Sequence, residues 1–291
     1  MRIAILLCAV VLLVMSSCGN RSNKTANLEF EFSGLENLGE GFTYQGWLVV
    51  NGEPVTTGNF NVDDNGNLSQ SSFEVNAQDL EEASSFVVTI EPFPDNNPMP
   101  SATHILAGDF YEDRADLSID HNAALGIDLT TAMGKFILAT LSDGNENEYE
   151  DSGVWFIDNS LAFPVQGLDL PELPDGWIYE GWASINQTCI STGKFRFANE
   201  SDEKNTYSNT VNSPPFPGED FLTNSPDGFN FPVSLKDKTV LITVEPYPDN
   251  SSEPFAIQPL SKIISANQEV HSVVEMDNFY GTEFISGVIR K

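Results

Sequence analysis

The sequence has 291 residues, of which 40% are hydrophobic and 19% are charged, and its formal net charge is −30. This length and apolar content allow one large core or two ordinary ones, and 20 Phe residues are not typical of a disordered acidic tail. The acidic surface repels nucleic-acid phosphates and anionic lipid headgroups. We therefore expect no nucleic-acid partner, and any membrane attachment must come from an anchor.

Residues 1–17 have the pattern of a bacterial lipoprotein signal peptide. Arg2 is followed by an apolar run, Ile3 to Met15, which is too short for a comfortable membrane span. Ser16-Ser17-Cys18 resembles a lipobox, which predicts that Cys18 is lipidated; the alternative is plain secretion with an incidental cysteine. Residues 18–27 read as a flexible tether. The remainder is expected outside the cytoplasm, on the periplasmic face or at the cell surface.

The first half of the chain alternates strand and turn signals. Leu28 to Phe32 alternates apolar and acidic residues, as a half-buried strand does. Asn51-Gly52 is a favoured type I′ pair between two strands, and residues 78–83 could form a single helical turn. Further short strands are predicted at 47–50, 55–62, 86–90, 105–110, 117–119, 135–140 and 154–157.

The second half repeats the first. The segment from Leu38 to Trp47 reappears as Leu173 to Trp182, and at the same offset Gly58 corresponds to Gly193. Later blocks also match, at a larger offset that indicates a longer insertion in the second copy: Val88 to Asn96 corresponds to Ile242 to Asn250. Two ordered blocks argue for tandem domains rather than a solenoid. The second hairpin has Asn186-Gln187 in place of Asn51-Gly52, which predicts a different turn there.

These blocks resemble the C-terminal domain of anti-sigma-K factors. The resemblance rests on Tyr44-Gln45-Gly46-Trp47-Leu48-Val49, on Gly52-Glu53-Pro54-Val55 with Gly58-Asn59-Phe60, and on Val88-Thr89-Ile90-Glu91-Pro92. It implies a β-rich sensory domain outside the cytoplasmic membrane. In that family the sigma-binding part is a separate cytoplasmic segment, so we expect no direct binding of a cytoplasmic sigma factor.

Two equivalent acidic positions are candidate sites. Glu91 and Glu245 each stand between a strand and a proline, followed by Asp95 and Asp249 respectively. A carboxylate at such a turn can accept backbone N–H groups and act as a structural clamp. The alternative is a ligand or metal site shared with the aspartate.

Two aromatic pairs, Tyr44 with Trp47 and Tyr179 with Trp182, could form a platform for sugars. Residues three apart in a strand point to opposite faces, so core packing is the favoured interpretation. Asp63-Asp64-Asn65-Gly66-Asn67 lacks the ligand spacing of an EF-hand and reads as a hairpin tip, with calcium binding as the alternative.

No catalytic motif is present in the sequence. The three histidines, His104, His121 and His271, do not have metal-ligand spacing, and no Gly-x-Ser-x-Gly elbow occurs. Cys189 has no cysteine partner if Cys8 is removed and Cys18 is lipidated, and we expect it to be a buried filler. The sequence therefore predicts no enzyme, no cofactor and no metal centre.

Taken together, these features predict an all-β protein with two tandem β-sandwich domains, immunoglobulin-like or similar, at residues 28–160 and 161–291. We expect a cell-envelope lipoprotein with a non-catalytic binding or sensing role. Its expected partners are the membrane, through the lipid anchor, and an envelope protein or glycan. A carbohydrate- or calcium-binding module is the alternative.

Overall fold

The computed structural model describes residues 24–144, 148–209, 214–248, 251–280 and 285–291. Residues 1–17, which are predicted to be a signal peptide, lie outside these ranges together with Cys18 and Asp249, so the predictions for them stay predictions. Among the described residues, no helix combines the length and the apolar character needed to cross a membrane. The expected all-β fold is confirmed, since strands dominate and the α-helix Ala77–Glu82 spans 6 residues.

The strands fall into a first repeat, β1–β8, and a second repeat, β9–β20. The strands of the first repeat are β1 Thr25–Ser33, β2 Phe42–Val50, β3 Glu53–Phe60, β4 Ser72–Asn76, β5 Ala83–Pro92, β6 His104–Tyr111, β7 Arg114–Ser118 and β8 Met133–Leu138. Those of the second are β9 Gly153–Trp155, β10 Ile157–Asp158, β11 Val165–Gln166, β12 Leu168–Asp169, β13 Trp177–Ile185, β14 Thr188–Phe195, β15 Gly218–Asp220, β16 Thr239–Pro246, β17 Leu260–Ile263, β18 Val274–Glu275, β19 Asp277–Asn278 and β20 Ser286–Arg290. Two 3-10 turns lie at Leu129–Thr131 and Glu150–Ser152.

The first repeat is organised around one continuous 8-stranded sheet with the order β3-β2-β5-β6-β7-β20-β1-β4. Its end strands β3 and β4 contact each other, so the sheet curls around a core. Phe30, Tyr44, Phe60 and Phe86 meet in this core because alternate residues of each strand point inward. The ladders of this sheet are continuous from β3 to β4, and the predicted arrangement of the protein as two tandem sandwiches stays a prediction.

The second repeat follows the same plan in two sheets. One has the order β14-β13-β16-β17-β19, and the other has the order β12-β8-β9-β15, with β18 also paired to β8. Thus β13 corresponds to β2, β16 to β5 and β17 to β6. The short strands β18 and β19 together occupy the place that β7 has in the first repeat.

The two repeats exchange their last strands. β20, from the end of the chain, lies between β7 and β1 of the first repeat. β8, the last strand of the first repeat, lies between β18 and β9 of the second. A division at residue 160 therefore does not follow the strand pairing. It assigns β9 to the first domain and β20 to the second, because sequence order cannot show which repeat a strand pairs with.

The two central hairpins have the same turn, so the prediction of a different turn in the second copy is wrong. Asn51 and Gly52 have φ values of 54° and 86°, and Asn186 and Gln187 have values of 55° and 71°. Both hairpins have two-residue loops, with Val50 opposite Glu53 in the first. The strand twist favours a type I′ turn in such a loop, and here it places Gln187 in the left-handed region.

Candidate functional site

A buried chain of hydrogen bonds links the predicted site residues of the first repeat. Trp47 Nε1 donates to Thr89 Oγ1 at 2.8 Å, and Thr89 Oγ1 donates to Glu91 Oε1 at 2.5 Å. The same Glu91 oxygen accepts the backbone N–H of Ser101 at 2.8 Å. Trp47, Thr89 and Glu91 are all buried. This chain ties β2 and β5 to the loop that leads into β6.

The second repeat contains the same chain of hydrogen bonds at the equivalent positions. Trp182 Nε1 donates to Thr243 Oγ1 at 2.9 Å, and Thr243 Oγ1 donates to Glu245 Oε1. Glu245 Oε1 also accepts the N–H of Phe255 at 2.9 Å. Each glutamate thus accepts a backbone N–H from the loop that follows its strand. The sequence did not single out the two threonines, although the shared Thr-x-Glu-Pro pattern was visible in it.

Asp95, which follows Glu91 in the sequence, makes a different type of contact. Asp95 Oδ1 accepts the N–H of Asn97 at 2.8 Å within the turn after β5. Asp249 lies outside the described residues, so its relation to Glu245 stays a prediction.

The two aromatic pairs do not form platforms. Tyr44 and Tyr179 point into the main core, where they stack on Phe60 and Phe195 at ring distances of 5.4 Å and 5.8 Å. Trp47 belongs to a separate cluster on the opposite face. In each strand the tyrosine and the tryptophan point to opposite faces of the sheet, since they are three residues apart. Both faces are covered by other residues, so all four rings are buried.

A cleft of about 710 Å³ opens beside β14 in the second repeat. The segment between β14 and β16, which we call the insertion, contributes one wall through its described residues Glu203, Tyr207, Glu219 and Phe229. The residues that line the cleft include Glu180, Trp182, Cys189, Ser191, Lys194 and Glu219. Cys189 is partly exposed here and not a fully buried filler, and burial raises the pKa of its thiol. The cleft was not anticipated from the sequence because the insertion has no counterpart of equal length in the first repeat.

The lining of the cleft differs in charge from the equivalent surface of the first repeat. Ser191 Oγ donates to Glu180 Oε1 at 2.5 Å, and Lys194 Nζ lies 3.6 Å from Glu180 Oε2. In the first repeat, Gln45 Nε2 donates to Thr56 Oγ1 at 2.7 Å. At the offset of the repeat, Glu180 corresponds to Gln45 and Lys194 to Asn59, so two neutral amides stand where the second repeat has a largely buried carboxylate and ammonium. Burying two charges is costly, so a stable fold alone did not require this change.

Carboxyl groups behind the cleft connect the insertion to the core and also hold the insertion itself together. Asp220 accepts hydrogen bonds from Ser142 N at 2.7 Å and from Trp155 Nε1 at 2.6 Å. Glu219 accepts from Tyr207 N at 3.1 Å, and Asp202 accepts from Gly218 N at 3.0 Å.

The carboxyl groups of Asp202 and Glu219 have strongly raised pKa values. Burial raises the pKa of Asp202 to about 8 and that of Glu219 to about 7, because the charged form loses its hydration there. Burial therefore favours the protonated form of both groups.

The acidic turn at residues 63–67 is stabilised by its own side chains. Asp63 Oδ1 accepts the N–H groups of Asn65 and Asn67 at 2.9 Å and 2.8 Å, and Asp63 Oδ2 accepts from Asn67 Nδ2 at 3.0 Å. Hydrogen bonds from Asn67 lower the pKa of the Asp63 carboxyl. Across the described ranges, no three His, Cys, Asp or Glu side chains are grouped so that they could hold a metal ion.

The comparisons with known proteins agree with the resemblance in the first repeat. Residues 9–104 match the family model described as anti-sigma-K factor rskA, C-terminal. The match ends at the first residue of β6 and does not reach the second repeat, so the tandem resemblance stays a prediction. No curated protein and no solved structure matches the chain. The match indicates an anti-sigma-factor-like domain in this region of the chain. The matched family is regulatory rather than catalytic.

Proposed function

We propose that this protein is a lipid-anchored, non-catalytic binding or sensing protein of a bacterial cell envelope, and that its ligand binds in the cleft of the second repeat. The family match to residues 9–104 supports the sensory class. The apolar run and the lipobox-like Ser16-Ser17-Cys18 support the anchor. The partner is an envelope protein or a glycan.

The observation that carries the choice of site is the difference between the repeats. Both keep the Trp-Thr-Glu chain that stabilises the frame, but only the second has Glu180 paired with Lys194 beside a cleft. A ligand that replaces water in this cleft would meet a carboxylate and an ammonium in a partly desolvated setting. Polar groups so placed give specificity rather than stability.

The binding site is tested with a matched pair of proteins. The double variant Glu180→Gln with Lys194→Asn gives the cleft the side chains that the first repeat has at these positions. Melting temperatures of both proteins are measured with calcium, with cell-wall oligosaccharides and with envelope-derived peptides. We expect one class to raise the melting temperature of the native protein and not of the variant. If every class affects both proteins equally, the cleft is not the site.

The anchor is tested separately with a palmitate analogue in a bacterial host. The native chain should be labelled and should fractionate with membranes, and Cys18→Ala should lose both properties. A Cys18→Ala protein that still fractionates with membranes would contradict the lipid anchor without affecting the cleft.

A further inference from the structure

The two exchanged strands have the same pattern of residues. Residues 132–138, which contain β8, align without a gap to residues 285–291, which contain β20. The alignment places Gly134 with Gly287 and Phe136 with Ile289. All four residues are buried, and Phe136 and Ile289 are completely so. Two different sequences therefore satisfy equivalent positions in the two repeats.

The residues of β1 and β7 on either side of β20 determine which side chains a strand can have at that place. Gly287 lies opposite Phe32, and a Cβ atom at Gly287 would lie 2.5 Å from Phe32 Cδ1. Two residues later, Ile289 lies opposite both Phe30 and Ala115 and is fully buried. The space between β1 and β7, which we call the acceptor slot, thus selects a glycine followed two residues later by a large apolar side chain.

The contacts of β20 are made with the first repeat. Its ladders run to β1 and β7, Arg290 pairs with Glu31 at 2.7 Å, and the N–H of Lys291 donates to the carbonyl of Asp113 at 2.9 Å. The acceptor slot already takes its strand from outside its own repeat. Because these contacts are made by residues 286–291 themselves, a strand of the same sequence from another molecule would make the same ones.

We propose that the acceptor slot is an interaction site for a second copy of this chain, whose C-terminal strand takes the place of β20. Two chains that exchange β20 reciprocally keep every ladder that each chain has alone, so exchange costs little in contacts. The single chain is favoured in dilute solution because its own strand is always close by. At high protein concentration the exchanged dimer forms.

The slot is tested with a chain whose own strand is disabled. Ile289→Asp places a charge at a fully buried position of β20 and leaves β1 and β7 unchanged. A synthetic peptide of residues 285–291 should raise the melting temperature of this chain by several degrees. A peptide of residues 132–138 should also do so, since β8 has the same pattern. A Gly287→Val peptide should have no effect, whereas a Val288→Lys peptide, which copies Lys135 of β8, should act like the native one.

The exchanged dimer is tested by size-exclusion chromatography of the full chain after refolding at high concentration. We expect a dimer from the native chain and from Val288→Lys, and none from Ile289→Asp. If the Ile289→Asp chain fails to fold, the milder Ile289→Ala replaces it in the peptide experiment. The proposal is overturned if the native peptide has no more effect than the Gly287→Val peptide, or if Ile289→Asp dimerises as the native chain does.

Discussion

Trp47 and Trp182 donate the same buried hydrogen bond from equivalent strands, to Thr89 Oγ1 at 2.8 Å and to Thr243 Oγ1 at 2.9 Å. In both repeats the threonine hydroxyl donates a hydrogen bond to a glutamate, and the same glutamate oxygen accepts a backbone N–H from the next loop. The two repeats share this arrangement of hydrogen bonds and differ in the residues around it.

Removing either threonine hydroxyl should destabilise the protein. Thr89→Val or Thr243→Val leaves the indole N–H without its acceptor and removes a donor to the glutamate. We expect a loss of about 1–3 kcal/mol in the free energy of unfolding for each, measured by denaturant titration. Thr188→Val, at an exposed position of β14, is the control and should have little effect. Equal stability of all three variants would mean that the chain of hydrogen bonds does not support the frame.

The glycine before each tryptophan should resist substitution. A Cβ atom at Gly46 would lie 2.5 Å from Thr57 Oγ1 and 2.6 Å from Phe86 Cζ, where β2 has a register shift. Gly46→Ala should therefore cost about 1–3 kcal/mol through overpacking, measured as a change in the denaturation midpoint.

Gly52→Asn is the matched control for this glycine. Gly52 is exposed in a left-handed conformation, and asparagine tolerates that conformation. The substitution should cost much less than Gly46→Ala. A Gly46→Ala protein as stable as Gly52→Asn would show that the neighbours of Gly46 can move aside.

The strand exchange predicts long-range effects of two core substitutions. Ile289→Ala should increase hydrogen exchange in β1 and β7, although Ile289 is near the end of the chain and these strands are in its first half. Phe136→Ala should increase exchange in β9 and β18. Each substitution should also cost about 2–5 kcal/mol because it leaves a cavity. If hydrogen exchange increased only in the repeat to which the mutated residue belongs by sequence, the observed pairing of β8 and β20 with the other repeat would be contradicted.

The buried carboxyl groups of the insertion predict a dependence of stability on pH. The pKa of Asp202 rises from 3.8 to about 8 and that of Glu219 from 4.5 to about 7. Between the ordinary and the raised values, the folded chain holds protons that the unfolded chain has lost. The contribution of these groups to stability is therefore fully present below about pH 4 and is lost as the pH rises through about 7 to 8.

Substitution of these carboxyl groups should flatten that dependence. Asp202→Asn and Glu219→Gln should lose less free energy of unfolding than the native chain between about pH 5 and about pH 8.5, measured by denaturant titration. Asp63→Asn is the control, because hydrogen bonds lower the pKa of Asp63 and it titrates below this range. The same slope in the native chain and in both insertion variants would contradict the raised values.

Local pattern was enough to predict much of the frame. Alternating residues from Leu28 to Phe32 indicate a half-buried strand, and the matching blocks around Trp47 and Trp182 place the same hairpin in both halves. The opposite directions of Tyr44 and Trp47 also follow from the two-residue period of a strand. The cleft was not predictable, because its wall is an insertion whose packing depends on Asp220 reaching Ser142 and Trp155 across the fold.

The sequence by itself determined that the chain is all-β, acidic and internally repeated, since strand period, turn residues and charge are local properties. Only the tertiary structure decided which strand completes which sheet. β8 and β20 have the same pattern of a glycine followed two residues later by a large apolar residue, so this local pattern does not distinguish the two places. The pairing of β20 with β1 and β7, and of β8 with β9 and β18, joins residues far apart in the sequence and is therefore a property of the whole fold.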